Sequence, residues 1–299
     1  SSETPTPPTA RRDENRVVWA GVAPEGWDPK IPRQAETSKE PLLDPPVAVP
    51  DPYGWLRDDK RTNQEVLDHL KVENDYTLAI TKHLQDDGEQ EGLVTGIYKE
   101  MLSVIQETDY STPRPDKDYL YYTKTIKGKS YSLHCRAPRS ESLEVLWNED
   151  MTDEEKAEQP LLPGEQVILD INLLAEGKPY CATGSVTKSP SQKLLAYTAD
   201  FTGDEKCQLF VKNLETNEMV HEDLEMEIYG SLAWASDDYT LFYLKLDATQ
   251  RPYQVIRRTL DGAKEDELLF EELDGMFWVG FYKSLDDRYL FVETSSKET

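Results

Sequence analysis

The chain has 299 residues, of which 37% are apolar and 10% aromatic, enough for one large domain or two ordinary ones with a buried core. Its 58 acidic residues against 33 basic ones give a net charge of -25, which argues against a phosphate-binding surface and makes nucleic acid an unexpected partner. No apolar run is long enough to span a bilayer, and the first residues lack the basic and then apolar order of a signal peptide, so the expectation is a soluble, cytoplasmic protein with no membrane partner. Cys135, Cys181 and Cys207 are odd in number, widely spaced and free of any C-x-x-C pair, so neither a disulfide framework nor a structural zinc site is indicated and a reducing compartment fits. The chain starts at Ser1 without an initiator Met, which points to processing or to an upstream segment with a targeting role.

Residues 1–50 are rich in Pro, Thr, Glu and Arg with scattered apolar positions, and read as a disordered, Pro-rich extension in which Trp19 and Trp27 dock locally. Next comes Asp51-Pro52-Tyr53-Gly54-Trp55-Leu56-Arg57-Asp58-Asp59, a rigid turn with an aromatic pair and a charged cluster. Thr62 and Glu65 form a capping-box pattern, and Val66, Leu67, Leu70, Tyr76, Leu78 and Leu84 then fall along one helical stripe up to the breaker near Gly88. A second stripe, Val94, Ile97, Tyr98, Met101, Leu102 and Ile105, predicts another helix with a face that needs a cover. Residues 51–108 are therefore a helical segment.

From 109 to 299 the character changes to short runs rich in Tyr, Leu, Val and Thr between Asp, Gly, Asn and Lys clusters, which is the pattern of strands and hairpins. Three runs resemble one another: Ser189 to Tyr197, Ser236 to Tyr243 and Ser284 to Val292. Their leading serines stand 47 and 48 residues apart, with room for about three more short strands between copies, which is the spacing of propeller blades. Asp118-Tyr119-Leu120-Tyr121-Tyr122 opens an earlier copy. The interval after it is too long for one blade, and the excess at 141–165 reads as an acidic surface insertion. The fold expected is mainly β: an incomplete propeller of about three and a half four-stranded blades, preceded by the helical segment. Its unpaired blade faces would be prone to association.

The chemistry is thin. A nucleophile elbow needs G-x-S-x-G, and no such pentapeptide occurs; Ser130, Ser185 and Ser231, each close after a glycine, read as turn or strand-start residues. The four histidines, His69, His83, His134 and His221, stand at no metal-ligand spacing and read as ordinary surface or half-buried residues. The carboxylate pairs Asp58-Asp59, Asp237-Asp238 and Asp286-Asp287 recur at turns and read as caps rather than as acid and base. Gly275 to Gly280 carries no phosphate-loop pattern. No catalytic, metal-binding or cofactor-binding residue is assigned, and no cofactor is expected.

The motif from Asp51 to Asp59, the helix ending Glu73-Asn74-Asp75-Tyr76, and the later Arg251-Pro252-Tyr253-Gln254-Val255 and Asp287-Arg288-Tyr289-Leu290 together resemble the oligopeptidase B branch of the prolyl oligopeptidase family of serine peptidases. The resemblance runs from about Pro45 to the last residue. It implies a seven-bladed propeller that filters substrates by size, and an α/β-hydrolase domain with the Ser, Asp and His that cleave short peptides after Arg or Lys. The helical segment would pack on that hydrolase domain, which these 299 residues do not include, so the chain alone is expected to be inactive. A noncatalytic propeller scaffold that binds other proteins is the alternative.

Overall fold

In the computed structural model, the described residues are 5–21, 43–86, 88, 91–140, 143–260 and 265–298. The chain divides into two compact units with the boundary after Gln106. Trp27 and the start of the insertion, Glu141 and Ser142, lie outside the described residues.

The described parts of the N-terminal extension, 5–21 and 43–50, contain paired strands where the composition suggests disorder. Strand β1 (Val17–Ala20) pairs antiparallel with β2 (Val47–Pro50). The chain around them is stitched to the aromatic motif: Asp13 N–H donates to the Pro52 carbonyl (2.9 Å), Asp51 N–H to Arg16 O (3.0 Å) and the Trp55 indole to Arg11 O (2.7 Å). The Arg11 guanidinium lies 4.9 Å from the centre of the Trp55 ring and pairs with Glu65 at 2.8 Å. These contacts use residues whose order a composition argument cannot see, because the partners stand 35 to 54 positions apart in sequence. Gly54 has a definite role here. A Cβ at that position would fall 1.9 Å from Asp51 Oδ2 and 2.3 Å from Arg16 Nε, so glycine is what lets this ion pair close over the turn.

Helix α1 (Gln64–Thr81) starts one residue later than the capping-box pattern suggests. Asn63 is the N-cap and accepts from Glu65 N–H at 3.0 Å, while Asp58 takes the N–H groups of Thr62 and Asn63 at 2.6 Å each. A carboxylate at this end also complements the helix dipole. Val66 is the buried residue of α1, and α2 (Leu93–Ser103) buries none. Leu70, Leu78, Leu93, Tyr98 and Met101 are each more than half exposed.

The second unit is mainly β, as the spacing of the repeats predicts. The first blade is built from β3 (Asp109–Tyr110), β4 (Arg114–Asp116), β5 (Tyr119–Thr125) and β6 (Leu133–Pro138), followed after α3 (Asp153–Glu158) by β7 (Gln166–Asp170). A short α4 (Ile171–Leu174) leads into β8 (Ala182–Lys188), β9 (Leu194–Asp200), β10 (Cys207–Asn213), β11 (Met219–Trp234), β12 (Thr240–Leu246), β13 (Pro252–Thr259) and β14 (Glu267–Glu271), which are hydrogen-bonded in that order in one antiparallel sheet. The second and third blades are thus continuous. β11 serves both: its first half pairs with β10, its second half with β12, and the register shifts between Ile228 and Leu232. β15 (Trp278–Lys283) and β16 (Leu290–Ser295) open a fourth blade. The result is a partial propeller.

Alternate side chains along each strand feed different cores. Ala196, Leu209 and Val211 face Trp234, Leu241 and Ile256 of the third blade. Their neighbours Leu195, Tyr197 and Phe210 face Ile168, Leu169 and Ile171 instead. Both faces of each middle blade are therefore buried, which explains why the central strands read as apolar runs rather than as clean alternation. The serine-led turns join the first two strands of successive blades, and carboxylates cap them: Asp237 accepts from Tyr239 and Thr240 N–H, and Asp286 from Arg288 N–H. Asp238 reaches further and takes Ser191 N–H of the preceding blade at 3.0 Å.

Candidate functional site

The innermost strands of the second, third and fourth blades are β8, the second half of β11, and β15. β8 and β11 come together at Gly184 and Gly230. A Cβ on Gly184 would lie 2.7 Å from both Cα and O of Gly230, so any larger residue there would force the two backbones apart. The Thr198 hydroxyl, fully buried, ties them by accepting from Ser185 N–H (2.9 Å) and donating to Gly230 O (2.8 Å). Ser185 and Ser231 thus lie inside strands beside this contact rather than at the turn or strand start that their sequence context suggests.

Beyond that contact a cleft of about 590 Å³ opens, lined among others by Tyr180, Ser185, Glu205, Cys207, Tyr229 and Phe281. Its rim is the turn Asp200-Phe201-Thr202-Gly203-Asp204-Glu205. The Asp200 carboxylate organises that turn by accepting from the N–H groups of Thr202 (2.8 Å), Gly203 (2.9 Å) and Glu205 (2.9 Å). Burial disfavours its charge, yet these donors outweigh burial and hold its pKa below the usual carboxylate range. The turn ends with Glu205 at φ 64°, a left-handed conformation that costs a non-glycine residue energy. The Glu205 carboxylate has no hydrogen-bond or ion-pair partner among the described residues. A negative charge thereby lines the same cleft as two partly exposed phenols, Tyr180 and Tyr229, an arrangement that suits an extended cationic ligand.

At the other end of the same strands a second cleft, about 640 Å³, is lined by the serine-led turns of consecutive blades, including Asp116, Lys188, Ser189, Ser236 and Arg288. Its charges are largely paired with one another, Lys188 with Asp116 at 2.8 Å and Lys283 with Asp287 at 3.0 Å.

The histidines lie elsewhere. His69 sits beside Glu73 and the Trp55 ring, His83 Nδ1 is 3.0 Å from Ile80 O, and His221 neighbours Arg258. Burial lowers the pKa of both His134 and His221. None of the four is hydrogen-bonded to Ser130, Ser185 or Ser231 among the described residues. The Asp200 turn and Glu205 were not singled out from sequence, although an Asp followed by Thr, Gly and Asp directly after an apolar strand is the signal of a turn built on a carboxylate.

Residues 29–299 match the family model described as the prolyl oligopeptidase N-terminal β-propeller domain. The chain belongs to the prolyl oligopeptidase family. Among curated relatives, dipeptidyl aminopeptidase BI of Pseudoxanthomonas mexicana is 32% identical over 251 residues, which is 82% of this chain and 33% of that protein. Protease 2 of Moraxella lacunata is likewise 32% identical, over 83% of this chain and 33% of its own length. Among solved structures, oligopeptidase B from Trypanosoma brucei with covalently bound antipain, in a closed form, superposes with a TM-score of 0.77 at 31% identity, covering 97% of this chain and 36% of that one. Oligopeptidase B from Leishmania major gives a TM-score of 0.73 at 28% identity. The similarity to oligopeptidase B read from the motifs is therefore present in both sequence and fold. The chain spans about a third of the length of these prolyl oligopeptidase relatives.

Proposed function

We propose that this chain is the N-terminal propeller region of an oligopeptidase B-like serine endopeptidase, and that in the whole enzyme it gates the approach of short peptides cut after Arg or Lys. The observation that carries this reading is the Glu205 carboxylate, without a partner among the described residues and held by the Asp200 turn at a cleft along the innermost strands. A basic peptide side chain would find there an anion on a rigid mount and two phenol rings for its aliphatic stem. The rest of the acidic surface would favour its approach at long range. The exposed apolar residues of α1 and α2 support the companion proposal that the helical segment covers an α/β-hydrolase domain, the part of the enzyme that would supply the nucleophile. Family membership and this peptide-sized acidic cleft favour the peptidase reading over a protein-binding scaffold.

Two measurements test it. The 299-residue polypeptide, which contains no G-x-S-x-G elbow, should neither take up an active-serine probe nor hydrolyse an Arg-containing peptide. It should still bind a short Arg-containing peptide more tightly than the same peptide with norleucine in place of Arg, and Glu205→Gln should weaken the Arg peptide about tenfold while leaving the norleucine peptide unchanged. Equal affinity for the two peptides would end the reading.

A further inference from the structure

Between the first and second blades lies a cleft of about 340 Å³ with a composition unlike the rest of the molecule. Among its lining residues there is no carboxylate, in a chain that carries 58. The polar groups it gathers are Arg114, Tyr121, Thr123, His134 and Lys188, together with the hydroxyls of Ser111 and Thr112.

Strand register explains the gathering. Arg114 of β4 is directly opposite Tyr121 of β5, and Thr123 of β5 is opposite His134 of β6, so these side chains share the face of the first blade that looks toward β8. From β8, the Lys188 ammonium stands 4.4 Å from the centre of the Tyr121 ring. Lys188 is engaged with Asp116, which neutralises much of its charge. Arg114 is different. Its guanidinium is exposed and has no hydrogen bond, ion pair or ring contact among the described residues, whereas the buried Arg136 and Arg251 are hydrogen-bonded through several nitrogens. The Tyr121 hydroxyl is the buried side-chain polar atom without a partner among the described residues. Burial raises the pKa of that phenol against the opposing pull of the Arg136 guanidinium, which stands opposite it across β5 and β6, so it remains a proton donor across the neutral range. Leaving such a group unpaired is costly, and a bound acceptor would recover that cost.

We propose that this inter-blade cleft binds a small oxyanion, a carboxylate or a phosphate group, with Arg114 supplying the charge, Tyr121 Oη a hydrogen bond, and the Thr123 hydroxyl and His134 imidazole secondary polar contacts. A cation is disfavoured by the absence of carboxylates, and an apolar ligand by the row of donors. The assignment does not depend on the peptidase reading, since it concerns a different cleft and ligands of opposite charge.

The test is calorimetric titration of the 299-residue chain at low salt with inorganic phosphate, and with a short neutral peptide as its free C-terminal acid and as its C-terminal amide. Saturable binding of phosphate, of the acid, or of both is expected, with the amide inert; the member that binds more tightly identifies the source of the oxyanion. Arg114→Gln should weaken binding about tenfold. Tyr121→Phe should weaken it several-fold without lowering the thermal midpoint, because the hydroxyl it removes has no hydrogen-bond partner among the described residues. Lys117→Gln, whose ammonium bonds the Pro190 carbonyl away from the cleft, should bind as the parent does. Absence of saturable binding at millimolar anion overturns the assignment, and so does binding that survives both Arg114→Gln and Tyr121→Phe.

Discussion

Arg251 shows what a single position can and cannot reveal. In sequence it is one letter of a family motif and, as an arginine, a candidate for the surface. In the fold it is buried, and its fork donates to the Asp247 carboxylate (Nε, 2.9 Å) and to the carbonyls of Glu272 (3.3 Å), Asp274 (3.0 Å) and Phe277 (2.5 Å). It therefore fixes the link between β14 and β15, where the third blade hands over to the fourth. The motif was legible; the role was not, because three of the four acceptors lie 21 to 26 residues downstream and are main-chain atoms with no side-chain signature. Arg251→Met is expected to cost about 3–5 kcal/mol in urea denaturation, since it breaks the buried ion pair with Asp247 and takes the guanidinium donor from three carbonyls, and Arg251→Lys should recover only part of that. The cysteines carry a second expectation at this scale. Burial pushes the Cys207 thiol from an ordinary 9.0 up to about 11 and Cys135 to about 12. The folded state thus holds these protons more tightly than the unfolded chain, so the stability linked to them is complete below pH 9 and declines as pH climbs toward 11. At pH 8 a thiol reagent should modify Cys135 and Cys207 slowly in the native protein and rapidly in urea; fast native labelling would contradict their burial.

The strands were the most legible elements, because alternation and turn residues recur at a fixed interval, and the insertion at 141–165 the least. Its acidic composition reads as solvated surface, and α3 with its Thr152 capping box buries no residue. The flanks behave otherwise. Leu161 and Leu162 are 0% and 2% exposed, and with Trp147 they cover the face of the first blade opposite β8 and β9. Glu165 completes the attachment by accepting from the Tyr122 hydroxyl (2.6 Å), Leu161 N–H (2.9 Å) and the buried Lys124 ammonium. Two leucines between prolines carry no periodicity, so no pattern argument could place them in a core. Leu161→Ala should cost about 2–5 kcal/mol, within the range for emptying a packed leucine site, whereas Leu143→Ala at the exposed start of the insertion should change stability by less than about 0.5 kcal/mol. Equal effects in chemical denaturation would mean that the insertion is only surface decoration. The long β11 is the other feature hidden from sequence: nothing in Met219 to Trp234 marks one strand that serves two blades, and the bulge around Gly230 becomes meaningful only beside Gly184.

Across the whole of the second unit, stability is distributed over successive interfaces between blades, each formed by alternate residues of neighbouring sheets, and this is why a repeat of 47 and 48 residues was enough to name the architecture. The same logic identifies the face that this architecture leaves open. In the β15–β16 ribbon, Val279 and Phe281 pack toward Leu244 and Val255 of the third blade, while Trp278, Tyr282 and Phe291 point the other way and stay about half exposed. Tyr282 and Phe291 already stack at 5.3 Å, so together with Trp278 they present a preformed aromatic surface beside the unpaired edge of β16. Such a combination favours association. The net charge of -25 opposes it, but at physiological ionic strength charges are screened beyond about 8 Å, while the gain from burying aromatic area is not. The 299-residue chain should therefore sediment as a monomer at low salt and associate with rising concentration at about 0.15 M salt. Replacing Trp278 and Phe291 together with Lys should return it to a monomer with its thermal transition retained, because neither side chain contributes to the buried cores. A parent protein that stayed monomeric at high concentration in salt would show that the exposed aromatic face does not suffice to bring two copies together.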